Sequence, residues 1–344
     1  MINSNYIKNA DKLLIIQTAF IGDTALSLFL AQAIKNLNPD CSIYYLTTPV
    51  SAEFVAKAEC VSKVFTLDKR GTEKKLSACA AKAAEINSEI GEIDIVVSLH
   101  RSARTSLLVS KLKATLKAGF SNSAFAGVYN LKIKYYPCLH EVARNAEFLN
   151  GLSYGKKVDF YPEVFFKKME KPIEAIPKDK KYCVVAPGSV WETKRWKSEY
   201  FKELVEMLAA KGIVSVITGS KSECEVADLV ASGSKSAINL AGKITLSESI
   251  ELMRNAEFVV CNDSAPTHLA ALAGSARVLT IYGATSPMFG FYPIGKKAGY
   301  IESDELKCHP CEIHGSRRCP LNLREPLCIS SITPARVIKL LDLD

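Results

Sequence analysis

A chain of 344 residues is longer than one hydrophobic core usually serves, so two domains are expected. Hydrophobic residues make up 48% of it and charged residues 23%, as in an ordinary soluble globular protein, and no apolar stretch approaches the ~20 residues of a bilayer-spanning helix. The net charge of +8 suits an anionic partner, but no run of Lys and Arg is long enough for a nucleic-acid-binding arm, which excludes that class of protein.

Residues 1–12 lack the apolar segment of a secretory signal, and we therefore expect a cytosolic protein. Its modest basic excess suits an anionic small molecule or an acidic membrane surface. Composition leaves the oligomeric state open.

The first half of the chain alternates buried strands with amphipathic helices. Strands are predicted at 12–17, 42–47, 63–67, 94–99 and 115–120, and helices at 23–37 and 72–90. A polar stretch that contains proline, 154–181, then interrupts the alternation and is the predicted interdomain connection.

The alternation resumes after this connection. Strands are predicted at 182–187, 213–219, 256–262 and 276–283, and helices at 198–211, 222–232, 246–255 and 265–274. Neither half has a Gly-x-Gly-x-x-Gly motif after its first strand, so a dinucleotide fold of that kind is not supported. The pattern predicts an α/β protein of two doubly wound domains with a cleft between them, in which ligands bind at the carboxyl ends of strands.

Two strand-to-helix loops carry candidate residues with competing explanations. Asp23 follows the first strand where a helix begins, and its spacing alone favours a helix cap over a general base. In the loop 186–201, Ser189 can donate hydrogen bonds and Lys194 supplies positive charge, which suits a diphosphate. The same loop is equally well explained as a solvated basic turn with Trp196 packed beneath it.

Glu223 lies in the first turn of the helix predicted after the strand at 213–219. Its carboxylate could accept hydrogen bonds from a ribose or a base. First-turn acids are also common because they complement the helix dipole, and locally this second explanation is the better one.

The stretch CNDSAPTHLAAL, 261–272, allows three interpretations. It has no Gly-x-Ser-x-Gly frame for a serine nucleophile, and Asp263 beside His268 is a weak zinc motif. A helix N-terminus that holds an anion needs fewer assumptions: the N–H groups of Ser264 and Ala265 face the ligand and His268 donates to it. A capping residue with an ordinary buried histidine stays the alternative.

Four of the eleven cysteines cluster at Cys308, Cys311, Cys319 and Cys328, which we call the cysteine-rich segment, 308–328. A reducing cytosol disfavours disulfides. The spacing C-x2-C-x7-C-x8-C suggests a structural metal site but matches no standard zinc or ferredoxin pattern, so zinc, an iron–sulfur cluster and four free thiols all stay open. The other seven cysteines are interpreted mostly as small buried hydrophobic residues.

Four stretches together, 13–39, 186–196, 239–287 and 332–341, resemble the lipopolysaccharide heptosyltransferases of glycosyltransferase family 9. The segment N-D-S-x-x-x-H followed by YGATSP is the most specific part. The type that adds the second inner-core heptose is the nearer match. The resemblance implies a GT-B fold of two Rossmann-like domains. It places the acceptor-binding domain at 1–160 and the nucleotide-sugar-binding domain, with the cysteine-rich segment and a terminal helix, at 161–344.

The resemblance also assigns roles to residues. Asp23 aligns with the catalytic base, which reverses the local preference for a cap. The donor-binding positions that it implies are Ser189, Lys194, Glu223, Asp263, Ser264, Ala265 and His268. It assigns no role to the cysteines, because only some relatives have such a segment. His100, Arg101 and Arg104 are proposed to meet acceptor phosphates or carboxylates, with a plain basic helix start as the alternative.

The implied reaction moves L-glycero-D-manno-heptose from ADP-heptose to the inner core on lipid A, with inversion and without a catalytic metal or other cofactor. The one Asp-x-Asp pattern, 342–344, is the last three residues of the sequence. A lipid-anchored acceptor implies peripheral binding at the cytosolic face of the inner membrane. The alternatives are a family member with another donor or surface glycan, and a non-catalytic nucleotide-sugar-binding protein.

Overall fold

The computed structural model describes residues 6–153, 161–168, 173–176, 180–275, 277–303 and 306–342. The chain divides into two compact units, Met1–Lys168 and Met169–Asp344. Much of the predicted connection, 154–160, 169–172 and 177–179, lies outside the described residues, as do 343–344 of the Asp-x-Asp pattern. Residues 161–168 pack with the first unit, where Tyr161 contacts Phe29 with ring centroids 6.4 Å apart.

The first unit is a parallel sheet with helices. Its strands are β1 (Lys12–Ile16), β2 (Ser42–Thr47), β3 (Lys63–Thr66), β4 (Ile93–Ser98), β5 (Ala114–Phe120) and β6 (Leu131–Ile133). Its helices are α1 (Ile21–Leu37), α2 (Pro49–Val55), α3 (Ser77–Ile90), α4 (Ala103–Lys111) and α5 (Glu141–Ser153). The strand order is β3-β2-β1-β4-β5-β6. The central strands are continuous apolar runs because helices cover both faces of a parallel sheet.

The core of the first unit lies where α3 and α4 cover the sheet. Leu14 and Val96 from the central strands meet Ile86 of α3 and Leu108 of α4, all buried. The predicted helix 72–90 begins only at Ser77, because the carboxylate of Asp68 accepts the backbone N–H groups of Gly71 and Thr72 and holds residues 68–72 in a turn. Residues 98–108 comprise the end of β4, a short loop and the start of α4, whose N-terminus Ser102 caps.

The second unit repeats this architecture. Its strands are β7 (Tyr182–Ala186), β8 (Val214–Ile217), β9 (Ala237–Asn239), β10 (Val259–Asn262), β11 (Arg277–Ile281) and β12 (Lys297–Ile301). Its helices are α6 (Ser198–Ala210), α7 (Cys224–Ala231), α8 (Leu246–Arg254), α9 (Ala265–Leu272), α10 (Leu327–Ser330) and α11 (Pro334–Leu341). The sheet is parallel, in the order β12-β11-β10-β7-β8-β9.

Trp196 anchors the core of the second unit. Its ring is buried against Phe201 of α6, with centroids 4.8 Å apart, and its indole N–H donates to the carbonyl of Ile332 at 2.7 Å. Val337 and Leu341 of α11 complete this cluster. The terminal helix predicted from the resemblance is therefore present and packs on α6. No helix among the described residues has the length and apolar character needed to cross a bilayer.

Candidate active site

The two sheets share one topology, and it determines where their loops open. Read from one edge, both follow the order 3-2-1-4-5-6, so the direction in which successive strands are added across the sheet reverses between β1 and β4 in the first unit and between β7 and β10 in the second. Connections on the two sides of such a switch point leave in opposite directions and open a crevice at the carboxyl ends of the strands. The predicted site residues outside the cysteine-rich segment follow these strands or β8.

Asp23 is the third residue of α1 and lies seven residues after Ile16, the end of β1. Its carboxylate accepts the backbone N–H of Phe20 at 3.2 Å, so it does contribute to the helix start, as its spacing predicts. The side chain is only partly buried. The capping contact and a role as base are therefore compatible, since a carboxylate has further lone pairs.

His100 joins the two central loops of the first unit. Its Nδ1 lies 3.0 Å from Oγ1 of Thr18, which follows β1, and 2.8 Å from Oγ1 of Thr105 in α4. Burial lowers the pKa of His100 to about 3, and the positive charges of Lys69 and Arg101 act in the same direction. The imidazole is thus neutral at physiological pH, and hydroxyl donors at Nδ1 favour the tautomer with its proton on Nε2.

A basic cluster of Lys69, Arg101 and Arg104 lies around His100, and Lys69 was not identified from the sequence. Arg104 donates to the main-chain carbonyls of Lys69 and Lys74, at 3.2 and 2.6 Å, and so holds the loop 69–74 beside α4. Burial lowers the pKa of Lys69 to about 8, helped by the charges of Arg70 and Arg104 and opposed by Asp23. Lys69 therefore changes its charge close to physiological pH.

Arg101 is exposed and lies over the ring of Tyr135, 4.0 Å from its centroid. A second arginine, Arg144 of α5, lies 5.1 Å from the same ring centroid and is buried. It pairs with Glu141 at 2.8 Å. Burial, and then the negative charge of Asp23, raise the pKa of Glu141, while Arg144 and Arg101 lower it. Glu141 and Arg144 are thus electrostatic neighbours of Asp23 that the sequence did not point to.

Lys194 and Asp263 form a buried ion pair in the second unit. Nζ of Lys194 lies 2.7 Å from Oδ2 of Asp263, with only 13% and 7% of the two side chains exposed. Thr285 donates its hydroxyl to the same oxygen at 2.6 Å. Loops after β7, β10 and β11 therefore meet at one carboxylate. Thr285 lies in the YGATSP stretch, which resembled the family but suggested no role for this residue.

The loop that carries Lys194 is tied down on both sides. Asn262, at the end of β10, accepts the N–H of Trp196 at 3.0 Å and donates to the carbonyl of Pro187 at 2.7 Å. Ser189 is buried and accepts the N–H of Trp191 at 3.3 Å. Of the solvated-turn explanation, Trp196 does pack beneath the loop, but Lys194 is not a solvated surface charge; the diphosphate contact stays a prediction.

Helix α9 begins at Ala265, as the sequence predicts. Ser264 is its N-cap residue in an extended conformation and donates to carbonyls rather than capping the helix with its side chain. Ala265 begins the helix and Pro266 occupies its first turn, as proline favours. His268 is buried in the next turn, and its Nδ1 has no hydrogen-bond partner among the described residues.

Burial lowers the pKa of His268 to about 4; the charge of Asp263 opposes this shift and that of Lys194 adds to it. The imidazole is therefore neutral. A neutral ring donates at one nitrogen only, and a buried polar nitrogen without a partner is costly. His268 is accordingly suited to bind a polar ligand group and not to act as a permanent cation.

Glu223 stands beside the same loops and caps its own helix. Its Oε2 accepts the N–H and the hydroxyl of Ser220, each at 2.7 Å. Its Oε1 faces Gly188, where an added Cβ would lie 1.9 Å away. Gly188 is thus required for close approach. The first-turn explanation favoured by the local sequence describes these contacts, and a nucleoside contact stays a proposal.

The four thiols of the cysteine-rich segment differ in burial. Among the described residues, no three side chains of the His, Cys, Asp or Glu type form a group that could hold a metal ion. Cys308 is exposed, Cys311 and Cys319 are partly buried and Cys328 is buried, all as free thiols. As placed here they form no such group, and the structural metal site stays a prediction beside its alternatives. Elsewhere five cysteines are buried as interpreted, but Cys138 is exposed and Cys224 only partly buried.

Comparisons with known proteins agree with this architecture. A model of glycosyltransferase family 9 (heptosyltransferase) matches residues 85–320. Lipooligosaccharide heptosyltransferase 2 of Haemophilus influenzae is 24% identical over 329 residues, covering 84% of this chain and 88% of that protein. A family 9 glycosyltransferase of Veillonella parvula superposes with a TM-score of 0.81 at 20% identity, over 96% of this chain and 97% of that one.

The Escherichia coli heptosyltransferase WaaC with ADP-2-deoxy-2-fluoro heptose superposes with a TM-score of 0.72 at 20% identity, over 96% of this chain and 99% of that one. These likenesses confirm the fold class: two Rossmann-like α/β domains of the GT-B type. The matched family model covers about two thirds of the sequence. The chain belongs to glycosyltransferase family 9, the heptosyltransferase family.

Proposed function

We propose that this enzyme transfers L-glycero-D-manno-heptose from ADP-heptose to the inner core of lipopolysaccharide, adding the second heptose to the first. The observation that carries the donor assignment is the buried Lys194, which is held at the N-terminus of α9 near His268 by its ion pair with Asp263. Buried charge and unpaired polar atoms at the carboxyl end of a doubly wound sheet suit a nucleoside diphosphate.

Two relatives support the substrates. The Haemophilus protein is named as a heptosyltransferase 2 acting in lipooligosaccharide synthesis, and the WaaC structure contains a fluorinated ADP-heptose. In our proposal, unit 169–344 binds the nucleotide sugar and unit 1–168 binds the acceptor.

Asp23 is the proposed general base. A sugar hydroxyl is a weak nucleophile until a positioned carboxylate takes its proton as the new bond forms. Attack opposite the departing ADP inverts the anomeric carbon. Asp23 suits this task because it is partly exposed at the carboxyl end of β1, with one lone-pair direction committed to Phe20.

The leaving ADP gains negative charge at its β-phosphate, and the second unit supplies the groups to stabilise it. Lys194 exchanges its ion pair with Asp263 for the diphosphate, the N–H groups of Ser264 and Ala265 point to the phosphate oxygens, and His268 donates one hydrogen bond. Ser189 and Glu223 line the nucleotide side of the same loops. No step in this scheme uses a metal ion or other cofactor.

The acceptor side relies on the basic cluster of the first unit. Arg101 is exposed and Lys69 carries a charge that depends on pH, so both suit phosphates or carboxylates of the inner core. Arg104 contributes by holding the Lys69 loop, and His100 by its Nε2–H. Because the proposed acceptor is anchored in a lipid, the basic protein would work at the anionic cytosolic face of the inner membrane.

The test is ADP release from ADP-heptose in the presence of a lipid A core that carries one heptose. Asp23→Asn should lower kcat by about 10²–10⁴-fold, the usual contribution of a general base, with little effect on ADP affinity. Asp40→Asn, an exposed acid of the same unit, is the matched control and should keep the wild-type rate. Full activity in Asp23→Asn would exclude it as the base.

The second candidate function is a family 9 transferase with another donor sugar or acceptor glycan. The residues on the acceptor side indicate only an anionic acceptor, and so define their ligand less narrowly than the donor site does. A panel of nucleotide sugars and core acceptors separates the two. Preference for a UDP-sugar over ADP-heptose, or for a core without heptose, would favour this alternative.

A further inference from the structure

The cysteine-rich segment lies directly against the loops of the donor site. The N–H of Cys311 donates to the carbonyl of Ala284 at 2.8 Å, and Nε2 of His309 lies 2.9 Å from the carbonyl of Thr285. The segment thus binds the two successive carbonyl groups that flank the α-carbon of Thr285. The hydroxyl of Thr285 in turn fixes the carboxylate of Asp263.

The same segment also binds the loop of Lys194. Ser316 donates its N–H to Oγ1 of Thr193 at 2.8 Å and accepts the N–H of Thr193 at 3.2 Å. Thr193 is buried, with 4% of its surface exposed, and it immediately precedes Lys194. A reciprocal pair of this kind restrains both the position and the direction of the main chain at Lys194.

Gly315 makes the closest approach. It has a φ of 78°, and an added Cβ would lie 3.0 Å from Cγ of Lys194 and 3.1 Å from Cβ of Trp191. A side chain at position 315 would therefore displace the aliphatic stem of Lys194. The glycine allows the segment to close over this stem.

We propose that the cysteine-rich segment positions Lys194 for the donor diphosphate, with Thr193 and Gly315 as the positioning residues. The segment fastens the two loops whose side chains, Lys194 and Thr285, meet at Asp263. That the ligand is a donor diphosphate rests on the proposed function, whereas the contacts between the segment and the two loops are independent of it. The main consequence is that Thr193, which touches no substrate in this arrangement, controls the rate through Lys194.

Thr193→Val keeps the shape of the side chain and removes the hydroxyl, while Thr193→Ser keeps the hydroxyl. We expect Thr193→Val to lower kcat for ADP release about tenfold with the KM for the acceptor unchanged, because a cation displaced from the leaving group loses transition-state stabilisation. Thr193→Ser should retain the wild-type kcat. Gly315→Ala should reproduce the loss from a second position, and Ile313→Ala, an exposed change in the same segment, should not.

A double-variant comparison separates positioning from general destabilisation. If Thr193 acts through Lys194, Thr193→Val should cause no further loss of kcat in a Lys194→Met background. An equal loss in both backgrounds, or no loss in the wild-type background, overturns the proposal.

Failure of the proposed function would give a different result. If the wild-type protein releases no ADP from ADP-heptose, the proposed function fails. The affinity for ADP, measured by calorimetry, is then compared between variants in place of the rate of ADP release. Thr193→Val should then weaken ADP binding about fivefold when Lys194 is present and leave it unchanged in Lys194→Met. Equal weakening in both backgrounds overturns the positioning role in that case too.

Discussion

The ion pair between Lys194 and Asp263 can be broken with almost no change in side-chain size by the substitution Asp263→Asn. The amide oxygen can still accept the hydroxyl of Thr285 and face Lys194, because both contact the same carboxylate oxygen, but the negative charge is removed. Lys194, only 13% exposed, is then left as an uncompensated buried charge. We expect the variant to fold with a lower free energy of unfolding in its second unit.

The magnitude follows from the geometry. At a separation of 2.7 Å and an effective dielectric constant of about 20, the attraction between the charges is about 6 kcal/mol. Part of this is recovered when Lys194 bends its flexible stem toward water. Loss of one partner of a buried pair commonly costs about 3–5 kcal/mol, and the partial exposure here favours the lower end, about 3 kcal/mol.

The chain offers a selective signal for this measurement. Its two tryptophans, Trp191 and Trp196, both belong to the second unit, and Trp196 is almost fully buried. Urea unfolding followed by tryptophan fluorescence therefore reports on this unit, and about 3 kcal/mol should lower the midpoint by ~1 M or more. Glu192→Gln, which breaks the exposed pair with Arg195 in the same loop, should change stability by less than about 0.5 kcal/mol.

A double variant completes the test. Lys194→Met with Asp263→Asn removes both charges and should be more stable than Asp263→Asn alone. A single variant with the midpoint of Glu192→Gln would refute the reasoning, as would a double variant that recovers nothing.

Two further predictions concern the two units separately. Gly188→Ala should lower the free energy of unfolding of the second unit by about 1–3 kcal/mol, because its Cβ would overlap the Glu223 carboxylate. In a Glu223→Ala background the same substitution should cost almost nothing. An equal cost in both backgrounds, measured by urea unfolding, would contradict this prediction. For the first unit, the KM for the acceptor should rise as pH increases through about 8, because Lys69 loses the proton that gives it its charge. Lys69→Arg, whose guanidinium stays charged, should remove this rise in KM between about pH 7 and 9.5, and the same rise in both proteins would exclude Lys69 as its source.

The central strands could be predicted from the sequence because they are buried on both faces. β1, β4, β7 and β10 are short continuous apolar runs, and their predicted ends agree with the structure to within three residues. The strands that escaped prediction, β6, β9 and β12, are three of the four sheet edges in the described residues. Their partly exposed side chains do not form an apolar run.

Helix α5 was missed for a different reason. Arg144 and Asn145 are both buried in it, which interrupts the apolar periodicity that indicates a helix. The burial of Arg144 is compensated by the carboxylate of Glu141 and the ring of Tyr135, polar and aromatic contacts that leave no trace in the apolar pattern. Local pattern cannot reveal such compensation.

The candidate site, too, could be predicted only in part from the sequence. The loops could be located from the rule that ligands bind after strands, so Asp23, Lys194 and Asp263 were named. Their partners could not be named, because Thr285 reaches Asp263 across 22 residues and Lys69 reaches α4 across 35 residues. The contacts of the cysteine-rich segment with the loops of Lys194 and Thr285 are made by its main chain and by His309, and the metal site that the cysteine spacing suggested stays a prediction.

The repeated strand order has a consequence for how such enzymes diversify. In each sheet the strands carry the stability and the loops at the switch point carry the chemistry. The proposed acceptor residues follow β1 and β4, and the proposed donor residues follow β7, β8 and β10, so the two sets belong to separate compact units. On the proposed assignment, substitutions that alter acceptor preference fall in one compact unit and leave the donor loops of the other unchanged.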